Sequence, residues 1–258
     1  MAMIICKSPE EIDKLKQGNR IVMLILEDLR RSVKPGVTTL ELDQLAEKLI
    51  KHHNCIPAFK GYRAYPACLC VSVNEQIVHG IPGSRRLKSG DIVSLDLGVK
   101  LDGFFGDAAI TVPVGEVSAE AQQLITVTEQ ALHHGIAKAR IGNRLSDISH
   151  AIQMWVEEHG FSVVRDFVGH GIGKNLHEEP QIPNFGKPGF GPRLRKGMVF
   201  ALEPMVNAGS HEIRILDDGW TAVTADGSLS AHFERSIAVT EDSPIILSNG
   251  DPVLKEET

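Results

Sequence analysis

The sequence predicts an α+β fold built from two similar halves. In each half, two helical patterns of apolar residues precede segments with the patterns of β-strands. A glycine stands before the second helical pattern of each half, at Gly36 and Gly142, and an acidic residue recurs in one strand of each half, at Asp96 and Glu203. These pairs are 106 and 107 residues apart, and two matches at nearly one offset indicate a duplicated unit with pseudo-two-fold symmetry.

The composition is that of a globular protein without affinity for nucleic acid or membranes. The chain has 258 residues, of which 42% are hydrophobic and 23% charged, so it has enough apolar surface for a buried core. Its net charge of −6 disfavours polyanionic partners. The longest apolar run, residues 21–26, is far shorter than the roughly 20 residues that span a bilayer, and no signal-peptide pattern opens the chain. Its four cysteines form no C-x-x-C pair and are typical of reduced thiols, so we expect a cytoplasmic protein.

The first half begins with a helix whose start is well marked. Ser8 and Glu11 form a capping box around Pro9, which predicts a helix from there to about residue 32, and residues 34–36 (Lys-Pro-Gly) end it. The other elements expected in this half are a helix over residues 39–53, an irregular aromatic segment over 54–66, and strands over 68–73, 91–99 and 104–112.

The second half repeats this order. Two helical patterns come first, and strand patterns follow them to the end of the half. The Pro- and Gly-rich residues 180–192 are expected to form a surface loop. The predicted elements are helices over residues 118–139 and 145–159, and strands over 161–167, 198–206, 220–224 and 232–240.

Two aspartates face each other across a predicted hairpin. If Leu101 and Asp102 form its turn, Asp96 and Asp107 are directly opposite; if Asp102 and Gly103 form it, the two aspartates are diagonal neighbours on the same face. Two unpaired carboxylates on one face would lose solvation and repel each other, and a bound metal ion would remove that cost. Exposure of both side chains to solvent is the alternative.

Three further residues could join such a metal site. Glu203 and Glu234 lie inside apolar strand patterns, where a lone carboxylate is rarely left unpaired, although a surface ion pair would also account for each. His170 follows a predicted strand in the segment Val-Gly-His-Gly-Ile-Gly, and a structural role is the alternative for it. This segment does not open a helix, so it is not a phosphate-binding loop. Four carboxylates would balance two divalent cations, and carboxylates with one imidazole suit Mn, Fe(II), Co or Zn in a hydrolytic centre.

These residues lie in sequence motifs that are similar to those of a known enzyme family over essentially the whole chain. The sequence resembles the short bacterial form of the type I methionine aminopeptidases, of peptidase family M24. The resemblance implies a single catalytic domain over residues 1–258 with the pita-bread fold, two pseudo-symmetric α+β halves, covering about residues 8–113 and 118–240, around a curved antiparallel sheet. It also implies that Asp96, Asp107, His170, Glu203 and Glu234 are the five ligands of two divalent metal ions. The matching segments are NEQIVHGIP (74–82), DLGVKLDGFFGD (96–107), GHGIGKNLHEEP (169–180), FALEPM (200–205) and SAHFERSIAVT (230–240).

The reaction that the resemblance implies is removal of the N-terminal methionine from nascent proteins and peptides, with preference for a small second residue. A metal-bridging water or hydroxide would attack the carbonyl carbon, and Glu203 would relay its proton. His177 would hydrogen-bond the scissile carbonyl, and His79 would contact the scissile amide. Each histidine alone could equally be structural.

An apolar pocket for the methionine side chain is also implied. Aromatic rings and sulfur suit a thioether, and three of the chain's four tryptophans and tyrosines fall in this set. Leu176 stands where the family commonly has an aromatic residue, and Phe59 where it commonly has cysteine, which leaves the pocket apolar but changes its volume. The implied pocket residues are Phe59, Tyr62, Tyr65, Cys70, Leu176 and Trp220.

The expected partners are nascent polypeptides that begin with methionine and a small residue, together with transient association with the ribosome by a monomeric enzyme. Two alternatives are open: a prolidase or aminopeptidase P of the same fold, and a non-catalytic relative that binds peptides or proteins. The first helix begins near Ser8, which leaves no room for the extra N-terminal domain usual in the former. All five ligands and both histidines are present, which disfavours the latter.

Overall fold

The computed structural model describes residues 3–248 and places the helices as two pairs. Four α-helices lie in this range, and the four predicted helices are confirmed, with ends that differ by no more than one residue. No helix in the described range is long and apolar enough to cross a membrane. The helices are α1 (Pro9–Ser32), α2 (Thr39–His52), α3 (Ala119–Lys138) and α4 (Leu145–Glu158).

The first two helices both begin at a capping box. Ser8 Oγ accepts a hydrogen bond from the Glu11 amide at 3.3 Å, and the Glu11 carboxylate accepts one from the Ser8 amide at 3.1 Å. Thr38 and Glu41 repeat this arrangement at the start of α2. These bonds satisfy backbone donors that lack partners within the helix, and the Ser8 cap explains why the start of α1 could be predicted.

Strands within residues 3–248 are mostly short, and only two of them, which form one hairpin, reach 10 residues. They are β1 (Ile56–Pro57), β2 (Leu69–Val73), β3 (Gln76–Val78), β4 (Ile92–Leu101), β5 (Phe104–Pro113), β6 (Ser162–Val163), β7 (Val168–Gly171), β8 (Glu178–Pro183), β9 (Val199–Leu202), β10 (Met205–Asn207), β11 (Ile213–Ile215), β12 (Ala222–Thr224), β13 (Ser230–His232), β14 (Glu234–Ala238) and β15 (Ile245–Ile246).

A nine-stranded antiparallel sheet connects the two halves of the sequence. Its order is β1-β4-β5-β14-β9-β7-β8, with β2 paired to β4 and β15 paired to β14. Two three-stranded sheets, β13-β10-β6 and β11-β12-β3, accompany it. The pairing of β5 with β14 joins the first half to the second, so that residues from both halves meet on the same sheet.

The helices pack on this sheet and bury most of the apolar side chains. Helix α1 packs across β4 and β5, and α3 packs against α4. Helix α1 and β5 approach closely at Gly18 and Gly106, where a Cβ on Gly106 would lie only 2.7 Å from the Asn19 amide nitrogen. Asn19 Oδ1 also accepts a hydrogen bond from the Asp107 amide at 3.1 Å, so the close approach holds β5 at Asp107.

Two strands predicted as continuous are divided. The strand predicted over residues 198–206 is interrupted at Glu203 and Pro204, because proline has no N–H to donate to a ladder. The strand predicted over 232–240 is divided at Phe233. On one side of the two breaks β9 pairs with β14 in the central sheet, and on the other β10 pairs with β13 in a small sheet. Both segments of the chain therefore pass from one sheet to the other, one at Glu203 and the other next to Glu234.

Other differences concern short strands. The prediction over residues 161–167 was wrong in length, since only β6 forms there, and His170 lies inside β7 rather than after a strand. The loop predicted over residues 180–192 was wrong at its start, because β8 continues to Pro183. Strands β3, β7, β8, β11 and β15 are too short or too rich in glycine and proline to show an alternating pattern.

Candidate active site

The β4–β5 hairpin selects one of the two registers that the sequence left open. Asp102 and Gly103 have φ values of 48° and 83°, as the central residues of a type I′ turn require. The register then places Asp96 opposite Ala109 and Asp107 opposite Gly98. Asp96 and Asp107 are therefore diagonal neighbours on one face of the sheet, and the directly opposed arrangement does not occur.

The strand register also places Glu234 on this face of the sheet. Residues directly opposite in neighbouring strands point to the same face, as do residues two positions apart in one strand. Ala109 of β5 lies opposite Asp96 on one side and opposite Glu234 of β14 on the other. Asp96 and Glu234 therefore belong to one row across three strands, with Asp107 in the adjacent row.

His170 reaches this face from the other side of β14. Ala201 of β9 lies opposite Ser236 of β14 and also opposite His170 of β7. Because Ser236 is two positions beyond Glu234, His170 shares its face. Glu203 follows the end of β9, and its Oε1 lies 3.6 Å from His170 Nε2.

Several polar atoms at this face have no partner within the described part of the chain. They are Asp96 Oδ1, Asp107 Oδ1 and Glu234 Oε1, all buried. Ligand atoms of Asp107, His170 and Glu234 all lie within 4.8 Å of one another, and Asp96 and Glu203 line the same cavity just outside this compact group. Buried carboxylates are costly without a partner, so their ionised forms require compensating positive charge.

The acidities of these carboxyl groups reflect the same cost. Burial raises the pKa of Asp96 to about 7 and that of Glu203 to about 8. Burial, together with the charges of the neighbouring carboxylates, also raises the pKa of Asp107 and of Glu234. A cation at this face would reverse these shifts by favouring the charged forms.

The donor set fits divalent cations. His170 Nδ1 is 2.9 Å from the Gly171 carbonyl oxygen, so it donates to that oxygen and leaves the Nε2 lone pair directed at the carboxylates. Burial lowers the pKa of His170 to about 3, which keeps the ring neutral, as a ligand must be. Oxygen ligands with one imidazole suit Mn, Fe(II), Co or Zn.

All thirteen side chains predicted for the site line one cavity. The space inside it, including the part open to solvent, is about 650 Å³. Arg63 also lines the cavity, at its exposed mouth. The predicted residues found there are Phe59, Tyr62, Tyr65, Cys70, His79, Asp96, Asp107, His170, Leu176, His177, Glu203, Trp220 and Glu234.

The two further histidines occupy different positions around the carboxylates. His177 is exposed at the cavity mouth, with its ring centroid 4.3 Å from that of His170. The backbone of His79 has a positive φ of 61°, which is uncommon for a residue other than glycine. Its ring makes edge contacts with Phe167 and Trp220. Burial lowers the pKa of His79 to about 4, and partial desolvation of the ring, together with the nearby Arg63 charge, lowers the pKa of His177. Both rings are therefore neutral near pH 7, each with one donor and one acceptor nitrogen.

The apolar end of the cavity is rigid. The Tyr65 hydroxyl donates to the Gly80 carbonyl oxygen at 2.9 Å, and its ring meets Trp220 edge to face at a centroid distance of 5.1 Å. Gly98 leaves room for Phe59, since a Cβ there would lie 2.7 Å from the Phe59 ring. Burial raises the pKa of the Cys70 thiol, which keeps this part of the wall uncharged.

Sequence reasoning missed one buried residue of the site. His232, only 1% exposed, places Nε2 3.6 Å from Glu203 Oε2, and this nitrogen has no hydrogen-bond partner within residues 3–248. It precedes the break between β13 and β14, and its alternation with Glu234 in the sequence was the one available signal. Arg63 had no distinguishing signal, because it lies in the irregular aromatic segment.

Comparisons with known proteins agree on one family. The profile of metallopeptidase family M24 matches residues 13–241. Methionine aminopeptidase 1 of Bacillus subtilis (strain 168) is 55% identical over 246 residues, which cover 95% of this chain and 99% of that protein. A methionine aminopeptidase of Clostridium perfringens (strain 13 / Type A) has the same identity and the same coverage.

Solved structures are similar over the same range. A methionine aminopeptidase from Thermotoga maritima superposes with a TM-score of 0.94 at 47% identity, covering 95% of this chain and 99% of that one. The prolidase from Pyrococcus furiosus has a TM-score of 0.78 at 20% identity, which shows a common fold only, and this chain matches 65% of its length.

Proposed function

Because this chain belongs to metallopeptidase family M24, we propose that Asp96, Asp107, His170, Glu203 and Glu234 hold two divalent cations at one face of the central sheet. The fold is the pita-bread fold of its structural relatives, and the activity is that of a metal-dependent methionine aminopeptidase. Its substrates are peptide and nascent-protein N-termini that begin with methionine. The observation that carries the proposal is the group of buried, unpartnered carboxylate oxygens beside an apolar aromatic pocket.

When bound, the cations supply Lewis-acid chemistry, which polarises the scissile carbonyl and acidifies water. The side chains of this chain supply the rest. Glu203 lies at the edge of the compact group, with its side chain 15% exposed, and it can therefore reach the substrate side of the site. It accepts a proton from the attacking water on a carboxylate oxygen and returns it to the departing amine nitrogen.

The two neutral histidines orient the scissile peptide. His177 donates a hydrogen bond to the scissile carbonyl oxygen and stabilises the negative charge that develops there. His79, on the opposite side next to Trp220, contacts the scissile amide. A neutral ring suits both tasks, because it donates without adding a charge that would repel the cations.

The methionine side chain occupies the apolar end of the cavity. Phe59, Tyr65, Cys70 and Trp220 surround it, with Tyr62 and Leu176 completing the wall. The thioether gains contacts with aromatic rings there. The second residue lies near the mouth, where crowding favours small side chains.

Three finer properties complete the proposal. The enzyme acts in the cytoplasm, associates transiently with ribosomes and functions as a monomer. Its single domain over residues 1–258 arose by duplication of a unit now represented by about residues 8–113 and 118–240. Two successive helix pairs, each followed by strands of the shared sheet, support this origin.

Hydrolysis of two tripeptides tests the activity. Met-Ala-Ser and Met-Lys-Ser are incubated anaerobically with metal-free protein, with and without added Mn²⁺ or Co²⁺, and free methionine is measured. We expect release from Met-Ala-Ser, only when metal is present. Release without metal, or equal release from both peptides, would contradict the metal role or the small-residue preference, respectively. Cleavage of X-Pro peptides instead would indicate prolidase-like activity.

A further inference from the structure

A second tyrosine of the methionine pocket makes a contact that a pocket wall does not require. Tyr62 Oη lies 2.9 Å from Nδ1 of His177, and the two rings stack with centroids 5.3 Å apart and planes inclined by 25°. The Tyr65 hydroxyl, by contrast, bonds the backbone oxygens of Leu69 and Gly80. The hydroxyl of Tyr62 is thus directed at the imidazole that the proposed reaction uses.

Apart from its contact with the His170 ring, the side chain of His177 depends on Tyr62 for its direction. It is exposed and lies just before β8, in the connection from β7. An exposed side chain outside a packed core changes rotamer readily, on a timescale far shorter than catalysis. Its stacking on Tyr62 and the Tyr62 hydrogen bond restrict both the direction of the ring and its rotation about the Cβ–Cγ bond.

Tyr62 itself is held by the backbone around it. Gly61, Arg63 and Ala64 all have positive φ values, 87°, 47° and 70°, so the chain makes a tight turn that few residues adopt freely. The Tyr62 amide donates to the Phe59 carbonyl oxygen at 2.9 Å. The Arg63 guanidinium lies over the Tyr62 ring, 5.5 Å from its centroid. The hydroxyl therefore has a defined place from which to act on His177.

The direction of this hydrogen bond determines which ring nitrogen of His177 carries the proton. A neutral imidazole has one N–H and one lone pair, and the scissile carbonyl oxygen can only accept. If Tyr62 Oη–H donates to Nδ1, the proton of His177 is on Nε2, which is then free to donate to the substrate. If Nδ1–H donates to Tyr62 Oη, Nε2 carries a lone pair and cannot stabilise an oxyanion.

We infer that Tyr62 is a positioning residue: its hydroxyl donates to His177 Nδ1 and thereby sets the orientation and the Nε2–H tautomer of that histidine. The inference rests on the proposed role of His177. The ring of Tyr62 lines the methionine pocket, and the inference gives this residue a second role that depends on its hydroxyl alone.

The tautomer can be observed without turnover. The full chain, labelled with ¹⁵N-histidine and loaded with Zn²⁺, which is diamagnetic, is studied by long-range ¹H–¹⁵N NMR, and the signals of His177 are identified from their loss in His177→Ala. We expect Nδ1 of His177 to appear as an unprotonated, hydrogen-bonded nitrogen, and Tyr62→Phe to shift it. Tyr65→Phe removes a hydroxyl of the same kind from the same cavity and should leave the His177 signals unchanged. A protonated Nδ1, or a signal unaffected by Tyr62→Phe, would overturn the inference.

Kinetics on Met-Ala-Ser separate the hydroxyl from the ring. Tyr62→Phe keeps the ring that walls the pocket, so KM should change little, while kcat falls on the order of 10- to 100-fold, as when a partner that orients an active-site histidine is lost. Circular dichroism checks that the variant is folded. If His177→Ala lowers kcat but Tyr62→Phe does not, the positioning role is wrong and the proposed function stands. If His177→Ala itself leaves kcat unchanged, the role proposed for His177 fails and the inference fails with it.

Discussion

At the scale of single residues, Glu203 differs from the other carboxylates of the site. It lies where β9 ends, and each of its oxygens faces an imidazole, His170 and His232, at 3.6 Å. Asp107 and Glu234, in contrast, are almost completely buried, at 4% and 2% exposed, and both lie in the paired strands, Asp107 inside β5 and Glu234 as the first residue of β14. A carboxylate at a strand end can face both the metal centre and the substrate, and this position suits a group that must accept and return a proton.

Replacing this carboxylate by an amide tests the proton relay. Glu203→Gln keeps the shape of the side chain but cannot accept a proton, so kcat on Met-Ala-Ser should fall by about 10²- to 10⁴-fold with the circular dichroism spectrum unchanged. Glu241→Gln makes the same chemical change at an exposed position that pairs only with Lys196 and should leave kcat unaltered. Retained activity in Glu203→Gln would exclude the relay.

At the scale of elements, the contact of α1 with β5 positions the metal site. The two backbones meet at Gly18 and Gly106, and Asn19 of α1 holds the amide of Asp107. Any side chain at position 106 pushes the helix away, whereas a Cβ at position 18 would meet its nearest atom, the Gly106 nitrogen, at an ordinary 3.7 Å. The helix therefore acts on the site through one aspartate.

Two alanine substitutions separate these effects. Gly106→Ala should lower the free energy of unfolding by about 1–3 kcal/mol through overpacking and should weaken metal binding by displacing Asp107. Gly18→Ala adds the same methyl group to the facing element and should be neutral or stabilising by up to about 1 kcal/mol, since alanine favours helix. Urea unfolding and metal titration measure both quantities. Equal behaviour of the two variants would show that the close contact does not position Asp107.

The elements also show what could be predicted from sequence and what could not. The start of α1 was predictable because Ser8 and Glu11 satisfy local donors, a signal confined to four residues. The start of α2 was predicted from its apolar spacing, and the structure shows that Thr38 and Glu41 form the same kind of cap there. The hairpin register was not predictable from the sequence, because it depends on which pair of residues adopts positive φ. Only the structure assigned Asp102 and Gly103 to the turn. Strand β7, with two glycines among its four residues, has no alternation to detect.

The residues of the site, too, were only partly predictable from the sequence. The carboxylates could be grouped because a charge inside an apolar strand pattern is unusual wherever it occurs. His232 could not be assigned to the site from the sequence, because its approach to Glu203 depends on the pairing of β10 with β13, which joins residues distant in sequence. The internal duplication stays a prediction.

At the scale of the whole molecule, the proposed metal site joins the two halves of the chain. Asp96 and Asp107 come from the first half, and His170, Glu203 and Glu234 from the second, all across the sheet that β5 and β14 complete. Cations bound there would neutralise repulsion between groups from both halves. Binding should therefore stabilise the whole fold and not only the local strands.

Thermal and urea unfolding with and without metal test this coupling. At a free Mn²⁺ concentration about one hundred times Kd, the free energy of unfolding should rise by about 2.7 kcal/mol for each occupied site. Asp107→Asn should lose most of this gain, because it removes a ligand and a buried charge. Asp13→Asn, an exposed aspartate paired with Lys16 on α1, should keep it. An equal gain in both variants would place the bound metal elsewhere.

The central claim, that five side chains from both halves hold the catalytic cations, is tested most directly by locating the metal. Anomalous diffraction from crystals of the full chain grown with Mn²⁺ would give its position without reference to activity. We expect two peaks, about 3.5–4 Å apart, within bonding distance of Asp96, Asp107, His170, Glu203 and Glu234. Manganese bound at other residues, or no peak at this face in crystals of protein that is active with Mn²⁺, would contradict the claim.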